Sequence, residues 1–305
     1  MAGRVLVVGE VLIDVVRPPS GEVTEHVGGS PANVAIGLAR LGHDVDFATV
    51  VGDDERGRRC LAHLQAGGVD VTAQSRHAGA TSVADATVDA SGAATYAFDL
   101  RWDLAPVTVG DRTGHVHSGS IATTLEPGER EVTAAFRSAR GRATVSYDPN
   151  VRPTIMGGAD LVRARVEELL ALSDVVKASD EDLAFLYPDR SVEEALEHWG
   201  ALGPALVVVT RGPDGVVART TATGEVAREP AGGGSVVDTV GAGDSFMAGL
   251  LSGLLDAGLL GGPEAREHLR RAPLADVRPA LARALTTSAL TVGHAGPYAP
   301  TRAEL

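Results

Sequence analysis

Two closely spaced glycines and an acidic residue begin a predicted helix in the last third of the chain. Gly241 and Gly243 flank Ala242 and lead directly to Asp244, after which an apolar helical pattern starts at Phe246. Such a turn presents unpaired backbone N–H groups at the positive end of the helix dipole, which suits a phosphate or a developing anion. A carboxylate there can take a proton from an attacking group, or it can simply cap the helix. The stretch alone leaves both interpretations open.

A second glycine pair precedes a predicted helix near the amino end. Gly28 and Gly29 lie just before Pro31, where the helix begins, and Asn33 follows with both a hydrogen-bond donor and an acceptor. Backbone without side chains allows a ligand to approach closely, so this segment fits a polar small molecule. Asp14 follows the first predicted strand and would lie at the opening of the same predicted ligand site.

Two polar turns follow predicted strands in the second half of the chain. Residues 148–152 (DPNVR) provide Asn150 and Arg152, and residues 210–215 (TRGPDG) provide Thr210, Gly212 and Gly215. These residue types are common in plain turns, so each segment alone fits an ordinary turn as well as a ligand contact. The carboxyl ends of parallel strands are, however, where α/β sheets bind ligands.

The only lysine in the chain, Lys177, ends a further predicted strand. All other basic side chains are arginine, and a compact ammonium interacts with its partners differently from a planar guanidinium. We assign Lys177 to the nucleotide side of the site, although a general bias toward arginine explains the count equally well.

Alternating strands and helices must position these residues. Strands are predicted at 5–8, 46–51, 115–118, 144–147, 175–177 and 206–210, and helices at 32–41, 56–66, 130–139, 161–172, 192–199 and 277–291. This alternation favours a mostly parallel sheet with helices on both faces. We therefore predict a three-layer α/β/α core in one domain spanning residues 1–305. A hairpin is predicted at 216–228, and the charged piece 262–283 is predicted to be a solvated helical face.

A period of two replaces the helical pattern between residues 82 and 98, with a turn predicted at Ser91 and Gly92. We predict a small β lid from about residues 11–27 and 82–103. Phe98 and Arg101 would touch the ligand from this lid. Arg101 could meet a substrate carboxylate, or it could pair with a neighbouring aspartate, Asp99 or Asp103.

Composition narrows the range of partners. The 305 residues include 40 acidic and 27 basic side chains, a formal charge of −13, so nucleic acid and anionic membrane surfaces are not expected partners. The single cysteine allows no internal disulfide and fits a reducing compartment. No apolar run reaches the length of a membrane span, so we expect a cytoplasmic protein. No GxGxxG motif follows the first strand, which argues against a dinucleotide-dependent oxidoreductase.

Together these motifs resemble those of the ribokinase-like (PfkB) family of carbohydrate kinases. One signature comprises Gly28, Gly29, Pro31, Asn33, Ala35, Gly42 and Gly52, and the other comprises Asp238, Thr239, Gly241, Ala242, Gly243, Asp244, Ala248 and Gly249. Both signatures keep their spacing, and the resemblance covers essentially the whole chain. It implies a ribokinase-like fold and a sugar kinase that uses ATP and Mg²⁺.

The resemblance also implies individual roles. Asp244 would be the catalytic base, with Gly241, Ala242 and Gly243 as the anion hole. The sugar side would comprise Asp14, Gly28, Gly29 and Asn33, and the nucleotide side Thr210, Gly212 and Gly215. Asp238, with backbone near Gly293, would hold a monovalent cation such as K⁺.

One segment departs from the family pattern. Where the family often has Asn-x-x-Glu, tied to magnesium and phosphate, this chain has Ser179 and Asp182, both with shorter side chains. Glu181 could substitute, so Glu181 and Asp182 are both candidate metal ligands and Ser179 is a candidate nucleotide contact.

The segments at 9–14, 28–42 and 148–152 most resemble the fructokinase-like branch. We therefore expect phosphorylation of a primary hydroxyl of fructose or a similar ketose. The alternatives are 2-keto-3-deoxygluconate or ribose as substrate, and a non-catalytic sugar sensor, against which the intact Asp244 turn argues. Two lids could also pair in a homodimer.

Overall fold

The computed structural model describes residues 3–72, 75–89 and 94–305. The strands are β1 (Arg4–Val8), β2 (Leu12–Arg17), β3 (Thr24–Gly28), β4 (Val45–Ala48), β5 (Val51–Gly52), β6 (Asp70–Val71), β7 (Arg76–His77), β8 (Val83–Val88), β9 (Ala94–Asp99), β10 (Thr113–Gly119), β11 (Thr144–Asp148), β12 (Val175–Ser179), β13 (Leu206–Thr210), β14 (Val216–Thr220) and β15 (Val226–Glu229). The helices are α1 (Ser30–Arg40), α2 (Glu55–Ala66), α3 (Glu129–Ala139), α4 (Pro153–Met156), α5 (Ala159–Leu170), α6 (Asp180–Leu186), α7 (Val192–Leu202), α8 (Ala242–Asp256), α9 (Pro263–Leu269) and α10 (Leu274–Val292).

A mostly parallel sheet forms the centre of the molecule. Its strand order is β15-β14-β13-β12-β11-β10-β1-β4-β6, and pairing is parallel from β13 through β6. The β14–β15 hairpin adds two antiparallel strands at one edge. The predicted fold class, with a mostly parallel sheet between helices, is therefore confirmed.

Residues of the central strands alternate between two apolar layers, as the two-residue period of a strand requires. In β1, Val5 and Val7 belong to the layer that includes α1, α8 and α10. Leu6 and Val8 belong to the opposite layer, which includes α3, α5 and α7. The carboxyl end of β1 lies at the start of α1, where a Cβ atom on Gly9 would be 2.2 Å from Cβ of Pro31, and Asp148 at the end of β11 binds Lys177 beside Gly243 of α8.

A separate four-stranded sheet, here called the lid sheet, has the order β3-β2-β8-β9. It combines both predicted lid segments, and β8 and β9 pair antiparallel. Asp14 pairs with Ala84, which in turn pairs with Phe98, so these three residues form one row across the sheet. The turn predicted at Ser91 and Gly92 lies outside the described residues.

The charged piece at 262–283 differs from the prediction. It contains α9 and the first half of α10, and its apolar residues Leu269, Leu274, Val277 and Leu281 are buried. Leu274, Val277 and Leu281 have the spacing of one helix face, and that face packs into the core. Interspersed arginines and prolines concealed this pattern, so the prediction of a solvated helical face missed the buried face opposite it.

Candidate active site

The start of α8 presents free backbone donors at the carboxyl edge of the sheet. Gly241 is the N-cap, with a positive φ of 77°, and a Cβ atom there would lie 2.7 Å from Cβ of Pro297. The N–H of Ala242 donates to the carbonyl of Thr239 at 3.2 Å. Within the described part of the chain, the N–H groups of Gly243 and Asp244 meet no protein acceptor. These two groups, at the positive helix end, are available to an anion.

Side chains of α1 hold the carboxylate of Asp244. Ser30 Oγ donates to Oδ1 at 2.7 Å and Asn33 Nδ2 donates to Oδ2 at 2.8 Å. Burial raises the pKa of Asp244, while these hydrogen bonds and the charges of Lys177 and Arg152 act in the opposite direction. Because both carboxylate oxygens face α1 rather than the N–H groups of α8, Asp244 is not a helix cap.

Ser30 was missing from the sequence prediction. It lies directly after the glycine pair and three residues before Asn33, so the two side chains share one face of α1. That spacing was visible in the sequence, but the partner, Asp244, is 214 residues away from Ser30.

A buried ion pair lies beneath the glycine turn. The distance from Lys177 Nζ to Asp148 Oδ2 is 2.7 Å, and Nζ also donates to the Gly243 carbonyl at 3.4 Å. Burial raises the pKa of Asp148 to about 6 although Lys177 acts in the opposite direction. Burial lowers the pKa of Lys177, but the charges of Asp148 and Asp244 outweigh it, and the net shift is upward. Asp148, which the sequence did not single out within the DPNVR turn, thus lies beside this site.

Asp14 lies on the sugar side, where two glycines make room for it. A Cβ atom on Gly28 would lie 2.0 Å from Asp14 Oδ2, and one on Gly29, whose φ is 117°, would lie 2.5 Å from the carbonyl oxygen of Glu10. Burial raises the pKa of Asp14. Phe98 lies in the same row of the lid sheet, so the predicted pair shares one face.

Arg152 lies between the sugar side and the base. Its Nη1 atom donates to Asn150 Oδ1 at 2.8 Å, and Asn150 has a positive φ of 37°. The charge of Arg152 lowers the pKa values of both Asp14 and Asp244, which places it near both carboxylates. The exposed Arg152 therefore offers a cation to an anionic ligand near these two carboxylates.

Arg101 is exposed, and its backbone N–H donates to Ser82 Oγ at 2.9 Å. Among the described residues, it forms no ion pair with Asp99 or Asp103. The pairing that the sequence left open is therefore absent from the structure.

The predicted nucleotide residues lie at the ends of β12 and β13. Ser179 and Thr210 are paired across these strands. Gly212 and Gly215 have positive φ angles of 50° and 83°, and a Cβ atom on Gly215 would lie 2.1 Å from the carbonyl of Glu229. The TRGPDG turn therefore requires glycine at both positions for its backbone geometry, whether or not it also contacts a nucleotide.

Next to this turn lies a cleft of about 680 Å³ that the sequence did not predict. Its walls are the glycine-rich loop before α8 and the last turns of α10, and they include Gly232, Gly233, Gly234, Ala282, Leu285, Ala289, Leu290 and His294. A Cβ atom on Gly232 would lie 2.7 Å from that of Ala289. The glycine run was the available signal. A mostly apolar cleft of this size suits a small planar ligand.

The predicted metal residues fall into two places. Asp182 accepts the N–H groups of Val151 at 2.7 Å and Ser179 at 2.8 Å, so it closes a capping box at the start of α6. Its neighbour Glu181 is exposed. In the described ranges, no group of three or more His, Cys, Asp or Glu side chains has an arrangement that could hold a metal ion.

Asp238 lies beside the end of α10. Its oxygens accept the N–H groups of Val240 at 3.0 Å and Gly296 at 2.8 Å, and its own N–H donates to the carbonyl of Val292. The structure thus brings Asp238 next to the segment that contains Gly293. The cation role predicted for both residues stays a prediction.

Comparisons with known proteins extend over nearly the whole chain. The model of the pfkB family carbohydrate kinases matches residues 2–304. A fructokinase of Klebsiella pneumoniae is 35% identical over 308 residues, with 97% of this chain and 95% of that protein covered. A fructokinase double mutant from Vibrio cholerae O395, in a form bound to fructose, ADP and potassium ion, has a TM-score of 0.80, 27% identity, and coverage of 99% of this chain and 97% of that one. Aminoimidazole riboside kinase from Salmonella enterica, complexed with aminoimidazole riboside and an ATP analog, has a TM-score of 0.79, 26% identity, and coverage of 99% and 98%. No helix in the described residues is long and apolar enough to cross a membrane.

Proposed function

Because the chain belongs to the pfkB family of carbohydrate kinases and is a sugar kinase, we propose that it transfers the γ-phosphoryl group of ATP to a primary hydroxyl of fructose. The choice of fructose is supported by the fructokinase names of its relatives, at 35% and 36% identity for two of them. The choice of ATP is supported by solved relatives that carry ADP or an ATP analog.

The carboxylate of Asp244 beside the free N–H groups of Gly243 and Asp244 carries this proposal. A hydroxyl placed between Asp14 and Asp244 would lose its proton to Asp244 as it attacks the phosphorus atom. The two N–H groups and the α8 dipole would stabilise the charge on the transferring phosphoryl group. Ser30 and Asn33 hold the carboxylate in place, so little reorganisation is needed at the moment of reaction.

The residues present would fit a nucleotide, with a metal ion held mainly by its phosphates and by water. The 680 Å³ cleft would take the nucleoside, and the start of α8 would receive the terminal phosphate. Bound Mg²⁺ neutralises charge on the β- and γ-phosphates. Since both oxygens of Asp182 bind backbone N–H groups, Glu181 is the better candidate to meet the ion, which keeps mostly water and phosphate ligands in such sites. Asp238 would hold K⁺ with backbone near Gly293.

The lid sheet would cover the sugar and exclude water that competes for the phosphoryl group. Phe98 and Asp14 face the sugar from the same row. Tyr96, on β9 and 56% exposed, supports the further proposal that two lid sheets pair in a homodimer.

A second substrate class is supported by one observation. Arg101 has no aspartate partner among the described residues and is exposed on the lid side. A free guanidinium there could bind a carboxylate, as in 2-keto-3-deoxygluconate. Ribose is the remaining alternative.

The test is a panel of these sugars with ATP and Mg²⁺ on wild type, Asp244→Asn and Asp276→Asn. Asp276 also lies in the first turn of a helix, α10, but is exposed and remote, so it controls for the chemical change itself. We expect Asp244→Asn to lower kcat about 10²- to 10⁴-fold on the best sugar, and Asp276→Asn to leave it unchanged. Near-normal turnover of Asp244→Asn would show that Asp244 is not the base. A higher kcat/KM with 2-keto-3-deoxygluconate or ribose than with fructose would show that fructose is not the preferred substrate.

A further inference from the structure

Lys177 is an unusual lysine because its whole side chain lies inside the protein. It is 4% exposed, lies in the middle of β12, and its ammonium contacts Asp148 and the Gly243 carbonyl. A Cβ atom on Gly243 would lie only 3.2 Å from Nζ, so glycine at that position leaves room for the ammonium. Lysine is almost never fully buried unless it is paired.

The Lys177 ammonium contacts the peptide group between Gly243 and Asp244, whose N–H would donate to a bound anion. In a planar trans peptide the C=O and the N–H point in opposite directions. The carbonyl of Gly243 and the N–H of Asp244 belong to one such peptide. A cation at the carbonyl oxygen therefore fixes the direction of the Asp244 N–H and polarises it as a donor.

No second cation shares this interior position in the described structure. His117 on β10 lies near Lys177, but burial and then the Lys177 charge lower its pKa to about 3, so it is neutral at working pH. The charged groups around Asp244 and the ion pair are Lys177 from β12, Asp148 from the end of β11, Arg152 after it and Asp182 from α6. From α1, the neutral Ser30 and Asn33 contact Asp244.

We infer that Lys177 is a positioning residue of the phosphoryl-transfer site. Held by Asp148, it orients the Asp244 N–H through the Gly243 carbonyl, and its positive charge favours the ionised form of the neighbouring Asp244 carboxylate. The inference rests on the proposed role of Asp244 as the base. It moves Lys177 from contact with the nucleotide, its expected role, to a place beneath the anion site.

The two members of the pair affect Asp244 in opposite directions. Removing the Lys177 charge raises the pKa of Asp244, since an opposite charge nearby favours the ionised carboxylate. Removing the Asp148 charge lowers it, because the Lys177 charge is then no longer offset. A role in packing alone would not produce shifts of opposite sign.

The test uses Asp148→Asn, the double variant Lys177→Met with Asp148→Asn, and Asp46→Asn as a matched control. The double variant replaces the pair by neutral groups of similar size, so no buried charge is left unpaired and folding is retained. Asp46 belongs to an ion pair with Arg4 near the amino ends of the strands, away from the site.

Carboxyl ¹³C NMR of the ligand-free proteins would follow the titration of Asp244, with Asp244→Asn identifying the signal. We expect the pKa of Asp244 to fall in Asp148→Asn, to rise again when Lys177→Met is added in the double variant, and to stay unchanged in Asp46→Asn. The acid limb of the kcat/KM profile should move in the same directions. In the double variant kcat should fall about tenfold or more, with little change in the sugar KM.

An unchanged pKa of Asp244 in Asp148→Asn, or no rise between Asp148→Asn and the double variant, would overturn the inference. Because NMR needs no turnover, this result is distinct from failure of the proposed function, which normal activity of Asp244→Asn would reveal.

Discussion

Glu10 is a buried carboxyl group at the mouth of the site, and it should make stability depend on pH. Its side chain is 6% exposed and Oε2 accepts the N–H of Ala122 at 3.2 Å. Burial raises the pKa of Glu10 to about 7, against opposing hydrogen bonds and the charge of Arg152. A rise from an ordinary value of 4.5 to about 7 corresponds to about 3 kcal/mol.

The sign follows from which state binds the proton more tightly. The folded protein keeps Glu10 protonated up to about pH 7, whereas the unfolded chain loses the proton near its ordinary pKa. The contribution of Glu10 to stability is therefore complete below the unfolded pKa and is lost as pH rises through the folded one. Glu10→Gln carries no charge and escapes this loss.

Urea denaturation of wild type and Glu10→Gln would measure the effect. We expect the free energy of unfolding of wild type, relative to the variant, to fall by about 2 to 3 kcal/mol between about pH 5 and about pH 8. Glu264→Gln, an exposed change in α9, should run parallel to wild type. Parallel curves for Glu10→Gln as well would refute the reasoning, because the burial of Glu10 would then leave its titration unaltered.

Two further predictions concern the sugar side and the core. Gly28→Ala places a methyl group 2.0 Å from Asp14 Oδ2, so the sugar KM should rise at least about tenfold in steady-state assays while the ATP KM changes little; equal rises in both would contradict this. Arg266→Met leaves Asp174, whose side chain is 4% exposed, without its 2.8 Å partner, and should lower the free energy of unfolding by about 3 to 5 kcal/mol. Arg271→Met, on the exposed surface, should change it little, and similar losses in both would show that the burial of the pair does not matter.

Local features of the fold could be predicted because they are written in short stretches of sequence. The alternation of apolar strands and helices led to the parallel sheet, and the period of two at residues 82–98 led to the lid hairpin. Gly241 and Gly215 could be recognised because both occupy backbone conformations that favour glycine. The buried face of the first half of α10 could not be predicted, because Pro279 and two arginines lie between its apolar residues.

The contacts that build the site are long-range, and the sequence does not contain them in any one stretch. Ser30 and Asp244 are 214 positions apart in the sequence, and Lys177 and Gly243 are 66 positions apart. The sequence left open whether the turn that contains Asp148 has a structural or a ligand-binding role, and it did not show that Asp148 pairs with Lys177. Residue type and spacing can indicate that such groups meet at one sheet edge, but their partners follow from packing.

Two aspartates at equivalent helix positions show that packing determines which groups a carboxylate binds. Asp182 and Asp244 are each the third residue of their helix, after N-cap Ser179 and N-cap Gly241. Asp182 turns back to its own helix and completes a capping box. The N-cap glycine of α8 has no side chain to join such a box, and α1 packs close enough for Ser30 and Asn33 to bind the carboxylate instead. The N–H groups of Gly243 and Asp244 are thereby left without a protein acceptor in the described part of the chain, which agrees with the proposed anion site and base. The sequence left open whether Asp244 simply caps its own helix. The packing of α1 against α8 excludes that alternative, because α1 binds the carboxylate.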